Sequence, residues 1–318
     1  MIIRGTGSSV PDYELTNREL ENIVDTSDQW IAERTGIRSR HIATVQTTTQ
    51  LAVQACERAL SDAGKTASEV ELIIVATVSD EEKLPCTACR VQAAIGAEQA
   101  VAYNVNAACA GFLFALSIAE AYFLSGMYRN ALIIGAEVLS KLVDWSDRST
   151  CVLFGDGAGA VFAQAGGKPA LFVQGSDGLR GDALRCSLPA NRSPFVREIE
   201  EESPYVTMDG KAVYQFAVST VPKCVEQVLE KAGTQADEVS CFVLHQANER
   251  IIRSVARRLS QPLEKFPMNV QSKGNLSAAS IPVLLDELHR EGMLKRGEKV
   301  VLSGFGAGLT YGAMLLVW

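Results

Sequence analysis

The stretches Leu60-Ser61-Asp62-Ala63-Gly64-Lys65-Thr66-Ala67-Ser68-Glu69-Val70-Glu71-Leu72-Ile73-Ile74-Val75 and Leu229-Glu230-Lys231-Ala232-Gly233-Thr234-Gln235-Ala236-Asp237-Glu238-Val239-Ser240-Cys241-Phe242-Val243-Leu244 align without a gap at an offset of 169 positions (229 less 60). Ala63-Gly64 falls on Ala232-Gly233, Ala67 on Ala236, and Glu69-Val70 on Glu238-Val239. Each copy predicts a helix stopped by a glycine able to take the left-handed conformation, then a buried strand built from an apolar run. The same offset lays Ala131-Leu132-Ile133-Ile134-Gly135 on Val300-Val301-Leu302-Ser303-Gly304, a second hit that points to internal duplication. Strands alternating with helices in both copies imply an α/β protein with mixed, largely parallel sheets covered by helices, its two halves packed about a pseudo-twofold axis. The boundary is expected near Gly166-Gly167-Lys168-Pro169, giving halves of residues 1–166 and 167–318. A repeat inside one doubly wound sheet is the alternative.

With 318 residues, 47% of them hydrophobic, the chain can bury a sizeable core. Its net charge of −7, from 30 basic and 37 acidic residues, argues against general affinity for nucleic acid or anionic membrane. Any acidic partner has to be met by a local patch. The start, Met1-Ile2-Ile3-Arg4-Gly5-Thr6-Gly7, lacks a basic stretch followed by an apolar segment, so no signal or transit peptide is expected. Ser117, Glu120 and Ser125 interrupt the longest apolar segment, Ala110 to Gly126, and no membrane span is expected. Eight scattered cysteines fit free thiols in a reducing cytoplasm. Cys86-x-x-Cys89 has metal or redox spacing, but no second pair or nearby histidine completes four ligands. The run after Pro85 reads instead as a helix with both cysteines on its apolar face, and no metal site is expected.

Three segments carry candidate chemistry. Asn104-Val105-Asn106-Ala107-Ala108-Cys109-Ala110-Gly111-Phe112 runs from a short strand through small residues into a helix bearing Leu113, Leu116, Ile118 and Ala121. Cys109 is thereby placed at a helix N-terminus, where unpaired N–H groups and the helix dipole are expected to lower a thiol pKa and to supply amides for an oxyanion. His245 ends the strand Cys241-Phe242-Val243-Leu244, the usual position of a site in an α/β fold. Of the other two histidines, His289 stands near a helix end and His41 follows the basic loop Arg38-Ser39-Arg40. Asn275 lies in the small-residue loop Ser272-Lys273-Gly274-Asn275-Leu276-Ser277-Ala278-Ala279-Ser280, and reads either as a turn residue or as a functional amide. The repeat lays Cys109 on Ala278; under the pseudo-symmetry matching helix starts would converge and bring Cys109, His245 and Asn275 to one cavity, the functional reading of Asn275. Cysteine, histidine and asparagine together form an acyl-transfer set.

These segments resemble the β-ketoacyl-acyl carrier protein synthase III family along essentially the whole chain. The likeness runs from Val24-Asp25-Thr26-Ser27-Asp28-Gln29-Trp30 and Arg34-Thr35-Gly36-Ile37 through Asn106 to Phe112 and Phe154-Gly155-Asp156-Gly157-Ala158-Gly159-Ala160. It continues into His245-Gln246-Ala247-Asn248, Gly274-Asn275 and Gly304-Phe305-Gly306-Ala307-Gly308. The resemblance implies a thiolase-like fold, two pseudo-symmetric βαβαβαββ halves forming a layered αβαβα core, and a Cys109-His245-Asn275 triad. It implies acyl transfer from acyl-coenzyme A to Cys109, then decarboxylative Claisen condensation with malonyl-acyl carrier protein, the initiating step of type II fatty acid synthesis. His245, neutral with Nε2–H forward, and Asn275 would stabilise the decarboxylation enolate; the backbone amides of Cys109 and of Gly306 or Ala307 would hold the second oxyanion. By the same likeness Trp30, Arg34, Arg148 and Asn248 contact coenzyme A. Arg250, Arg257 and Arg258, which with Arg253 make a basic helical face, dock the acidic carrier protein. A cytoplasmic homodimer with no metal and no cofactor beyond the two thioester substrates is implied.

Some positions depart from the family. Leu244 precedes His245 where proline is frequent, Leu276 follows Asn275 where threonine is common, and Lys211 stands where asparagine is frequent near the coenzyme A tunnel. Leu84 replaces a phenylalanine that in many relatives crosses the dimer interface and narrows the acyl pocket, leaving primer choice open. Rival readings are a related synthase of secondary metabolism, a thiolase, which needs a second catalytic cysteine, and an inactive acyl- or carrier-protein-binding module. A dinucleotide-binding reading of Gly155-x-Gly157-x-x-Ala160 requires a following helix, whereas Ala160-Val161-Phe162-Ala163 is β-prone, so this motif reads as a turn between that strand and the apolar strand Cys151-Val152-Leu153-Phe154.

Overall fold

The structure, a computed structural model, describes residues 1–188, 194–195 and 203–318. In the first sheet, strands β1 (Ile2–Ser9), β2 (Leu72–Ala76), β3 (Val101–Val105), β4 (Asn130–Val138) and β5 (Asp156–Gln164) lie in the order β1-β5-β4-β2-β3. In the second, β6 (Leu171–Ser176), β7 (Val239–Leu244), β8 (Lys299–Gly306) and β9 (Thr310–Val317) lie in the order β7-β8-β9-β6. The helices that build the core and the site are α1 (Asp28–Thr35), α2 (Thr48–Ala63), α3 (Thr87–Ile95), α4 (Gly111–Ser125), α5 (Gly210–Ala232), α6 (Glu249–Arg258), the single turn α7 (Val270–Lys273) and α8 (Ser280–Arg290). Helices α4 and α8 form the middle layer, touching strands of both sheets, while α2 and α3 cover the first sheet and α5 packs outside the second. The result is a five-layer αβαβα stack.

The duplication persists in local geometry. Helices α2 and α5 both stop at left-handed glycines, Gly64 (φ 62°) and Gly233 (φ 58°), where a side chain would be strained. Short 3₁₀ turns follow at Ala67–Glu69 and Ala236–Glu238, and again at Ala108–Ala110 and Ser277–Ala279, each pair at the sequence offset. Two details depart from the sequence reading. Parallel pairing is confined to β2–β3, β2–β4 and β7–β8, and the other ladders are antiparallel, because β8 returns directly into β9 without a crossover helix. Cys151-Val152-Leu153-Phe154 is not a strand: the amides of Thr150 and Cys151 bond back to the Asp147 carbonyl at 3.2 and 3.1 Å, coiling the segment into turns. Its apolar side chains fill a small core with Ile31 and Ile37. The strand expected over Ala160–Ala163 lies within β5.

Helix α4 is apolar all round, and Ala108–Ser125 has the length and composition of a membrane span. Its environment supplies the physical reason: Phe112, Leu113, Leu116 and Ala119 are buried in one cluster with strands of both sheets, while Leu124 near its C-terminal end is exposed. Cys86 caps α3, with its sulfur 3.5 Å from that of Cys89, and no cluster of metal-ligating residues occurs among the described residues.

The halves meet by backbone contact. A Cβ added to Gly135 in β4 would collide with the carbonyl of Ala278 in the turn before α8. Replacing Gly135 with Ala is expected to destabilise the protein by at least about 1–3 kcal/mol through overpacking. Chemical denaturation checks this, and a wild-type midpoint would show that the contact is not tight.

Candidate active site

Between β3 and α4 the chain makes a sharp elbow. Asn106 Oδ1 accepts from the Ala108 amide at 3.3 Å, Ala108 adopts φ 47°, and Cys109 sits in the 3₁₀ turn that leads into α4. The second half repeats the elbow at Ser277, also at φ 47°. Strand β8 ends against the first elbow: a Cβ on Gly306 would stand 2.5 Å from the Cys109 nitrogen. The Thr310 hydroxyl lies 2.9 Å from the Ala107 carbonyl and 3.1 Å from that of Ala307, tying the cysteine loop to the β8–β9 turn.

His245 follows β7 and donates its amide to the Ser303 carbonyl at 2.8 Å. Its ring is buried, edge-on to Phe305 at 5.5 Å between centroids, and Nδ1 has no hydrogen-bond partner. Asn275 is fixed by the other half, its amide bonding to Leu153 O (2.9 Å) and its carbonyl accepting from Gly155 N (3.0 Å). The Asn275 Oδ1 accepts from Ser277 N at 2.8 Å, which leaves the carboxamide nitrogen as a donor. Gln246, fully buried, clamps the approach to this loop: its Oε1 accepts from the amides of Asn269 and Val270 at 3.1 and 3.3 Å, while its nitrogen donates to Leu244 O at 2.7 Å.

Cys109, His245 and Asn275 line one cavity of about 490 Å³, together with Phe305 and Gly306. Toward its mouth stand Trp30, Arg34, Lys211 and Asn248. A second cavity of about 650 Å³ opens on the other side of Cys109, walled by Val78, Leu139, Leu142, Leu188 and Val206. The thiol is thus the junction of two chambers. Sequence reading found neither the second chamber nor its lining, because these residues come from four separate loops. Leu84, the residue named for an acyl pocket, is 86% exposed and borders neither cavity.

Burial dominates the electrostatics. It holds the His245 pKa down at about 3, so the imidazole is neutral. It pushes the Cys109 thiol up to about 12, against smaller lowering contributions from the Ser277 hydroxyl and the cysteine's own amide, while nearby Glu137 raises it further. The expected lowering by the helix start is therefore overturned: the thiol sits inside the protein, and removing a thiolate from water outweighs the hydrogen bonds at the turn. Glu137, a carboxylate in the otherwise apolar strand β4, is raised to about 7 by burial. Its only sequence signal was an acid in an apolar run.

At the outer mouth the guanidinium groups of Arg34 and Arg148 lie 4.8 and 5.2 Å from the Trp30 ring. Arg148 also donates to Asp25 O at 2.9 Å rather than pairing with Asp144 or Asp147. The Asn248 carboxamide is occupied at both ends, capping α6 through Arg250 N (2.8 Å) and donating to Arg34 O (2.9 Å). Arg250, Arg253, Arg257 and Arg258 are exposed along α6. Arg253 pairs with Glu249 at 2.7 Å, and Arg258 donates to Val218 O at 3.2 Å.

A duplicated five-layer core with a cysteine at the seam of its halves is the architecture of thiolase-type condensing enzymes, which are acyltransferases. The chain belongs to the β-ketoacyl-[acyl-carrier-protein] synthase III family. The family described as 3-oxoacyl-[acyl-carrier-protein] synthase III matches residues 103–178, and its C-terminal region matches residues 229–318. The chain is 45% identical to β-ketoacyl-[acyl-carrier-protein] synthase III of Clostridium acetobutylicum over 99% of this chain and 98% of that one. It is 46% identical to the Lactococcus lactis enzyme over 96% of each. The solved 3-oxoacyl-[acyl-carrier-protein] synthase III of Aquifex aeolicus superposes with a TM-score of 0.93 at 43% identity, covering 99% of both chains.

A histidine whose folded pKa lies below its unfolded value stabilises the fold above about pH 6.5, and that contribution is lost as pH falls toward 3. Stability is expected to drop below pH 6.5 by up to about 1.4 kcal/mol per pH unit from His245 alone. Denaturant titrations of wild type and His245→Gln between pH 4 and 8 check this: the variant should lose that part of the slope, and identical slopes would contradict it.

Proposed function

We propose that the protein catalyses the initiating condensation of type II fatty acid synthesis, with Cys109 as the acyl acceptor and His245 and Asn275 as enolate-stabilising donors. The observation that carries this reading is the convergence of those three side chains on one cavity, with a second chamber behind the sulfur. The Cys109 sulfur attacks the acyl-coenzyme A carbonyl, and coenzyme A leaves through the outer cavity. Malonyl-acyl carrier protein then occupies the same approach and loses carbon dioxide. Its enolate attacks the acyl carbonyl, expelling the sulfur and forming β-ketoacyl-acyl carrier protein.

Two neutral donors suit the decarboxylation step. An imidazole that stays uncharged and a carboxamide whose oxygen is already engaged present N–H groups to the thioester oxygen where negative charge develops. The Cys109 amide and that of Gly306 or Ala307 serve the tetrahedral intermediate on the other carbonyl. The 650 Å³ chamber takes the acyl tail, and its apolar wall suits a hydrocarbon.

At the mouth, Trp30 with Arg34 and Arg148 is read as the adenine and phosphate site of coenzyme A, with Asn248 positioning Arg34 rather than reaching the ligand. The exposed arginines of α6, Arg250 and Arg257 above all, are read as the landing site of the acidic carrier protein. Arg250 is 5.7 Å from the Tyr214 ring at the rim of the cavity. Dimerisation through the first half is supported by the open edge of β3, where Val101 is exposed, and by exposed Leu84, Leu124 and Met127. Leu84 would reach the partner's acyl chamber. The division of the chain near Gly166-Gly167 is supported by the change of sheet between Gln164 and Leu171. Free cysteines support a cytoplasmic setting.

Intact mass spectrometry after exposure to acyl-coenzyme A thioesters is expected to show one adduct on Cys109 that disappears when malonyl-acyl carrier protein is added. No adduct, or an adduct retained by Cys109→Ala, would refute the assignment. Asn275→Asp should still accept the acyl group but decarboxylate malonyl-acyl carrier protein on the order of 10²–10³-fold more slowly, since one oxyanion donor is lost. Carbon dioxide release measures that step; a variant equally impaired in acylation would argue for a structural role instead.

A further inference from the structure

Behind the wall that carries Asn275 lies a guanidinium with no acid beside it. Arg40 stands in the short strand Ser39–His41, which pairs with Glu14–Thr16, and is fully buried. Burial lowers its pKa only to about 10, so it stays a cation at neutral pH. Its fork reaches two separate segments. Nη1 donates to Leu15 O at 3.2 Å and to Asn17 Oδ1 at 2.9 Å, and Nη2 donates to Val152 O at 2.6 Å. Nε has no partner, and Arg40 makes no ion pair among the described residues. Holding an unpaired charge away from water is unfavourable, and an apolar side chain would fill such a space more readily. What an apolar side chain lacks is a planar fork able to hold two segments at once.

Val152 begins the run that fixes Asn275. Leu153 O accepts the Asn275 amide at 2.9 Å and Gly155 N donates to the Asn275 carbonyl at 3.0 Å, so Phe154 and Asn275 form a parallel bridge. The glycines on either side of this bridge lean on Arg40: a Cβ on Gly155 or on Gly274 would stand 3.1 Å from its Cβ. A further tie runs beside it, from Arg38 N to Gln271 O at 2.7 Å. Val152, Leu153, Phe154 and Asn275 line the cavity with Cys109, whereas Arg40 borders neither cavity. We propose that Arg40 is a positioning residue for the condensation: by pinning Val152 to the N-terminal segment it sets the bridge that aims the Asn275 carboxamide, and so governs decarboxylation without touching substrate. This rests on the reading of Asn275 as an enolate-stabilising donor. The Cys109 elbow is held instead by Asn106, Thr310 and the close approach of Gly306, so loading of the acyl group does not share this dependence.

Arg40→Lys keeps the charge but offers a single ammonium, which cannot hold both segments. Cys109 acylation, followed by mass spectrometry, and carbon dioxide release from malonyl-acyl carrier protein are measured separately, with melting curves confirming that each variant folds. Arg40→Lys should load at close to the wild-type rate yet decarboxylate on the order of 10²-fold more slowly, the loss that follows when a group is displaced by about 1 Å. Placed in an Asn275→Ala background it should add little further slowing, since the donor it aims is gone. Asn17→Ala removes one acceptor of the fork and leaves the bond to Val152. It should show the same selective slowing at smaller size, and it decides the matter if Arg40→Lys does not fold. Decarboxylation at the wild-type rate, equal losses in both half-reactions, or effects of Arg40→Lys and Asn275→Ala that simply multiply would overturn the role of Arg40 alone. Decarboxylation at the wild-type rate by Asn275→Ala itself would instead refute the reading of Asn275, and the role of Arg40 with it.

Discussion

Two backbone contacts across the seam are the constraint on which the rest of the molecule depends: Gly135 against the Ala278 carbonyl and Gly306 against the Cys109 amide. Neither position tolerates a Cβ, so each half presses bare main chain onto the elbow of the other. The site is therefore formed by docking rather than by local folding. Asn275 illustrates this, since its main chain is bonded to Leu153 and Gly155 of the first half while its side chain serves the cavity.

Docking also sets the electrostatics. The cysteine, the imidazole and the Glu137 carboxyl are all withdrawn from water, and all three shift toward their neutral forms. A site assembled from neutral groups in a poorly solvated seam costs less to build than one holding fixed charges. It also strengthens the interaction of fixed donors with charge that appears only during reaction. The same desolvation holds the thiol in its resting, protonated form.

Duplication supplied two equal elbows, and the halves use them differently. At one, Ala108 precedes the thiol; at the other, Ser277 takes the same backbone conformation and its amide donates to Asn275 Oδ1. The place of edge strand β3 is taken in the second half by the single turn α7, which leads to Gly274 and Asn275. Val101-Ala102-Tyr103-Asn104-Val105 has a β-prone pattern that Val270-Gln271-Ser272-Lys273-Gly274 lacks, and the helical turn brings the asparagine loop back to the cavity.

What the amino-acid order determined by itself was local or periodic: helix stops at Gly64 and Gly233, alternating helices and strands, the offset between halves, and the family pattern around Cys109, His245 and Asn275. These are legible because capping, periodicity and spacing act within a few residues along the chain. Only the tertiary structure decided that the Cys109 thiol is raised rather than lowered, that Leu84 lies away from the cavities of its own chain, and that Cys151–Phe154 coils instead of extending. It also placed Arg34 and Arg148 beside Trp30 and opened the chamber behind the sulfur. Desolvation and convergence depend on which distant segments pack against a group, and neighbours in space leave no spacing rule in a single sequence.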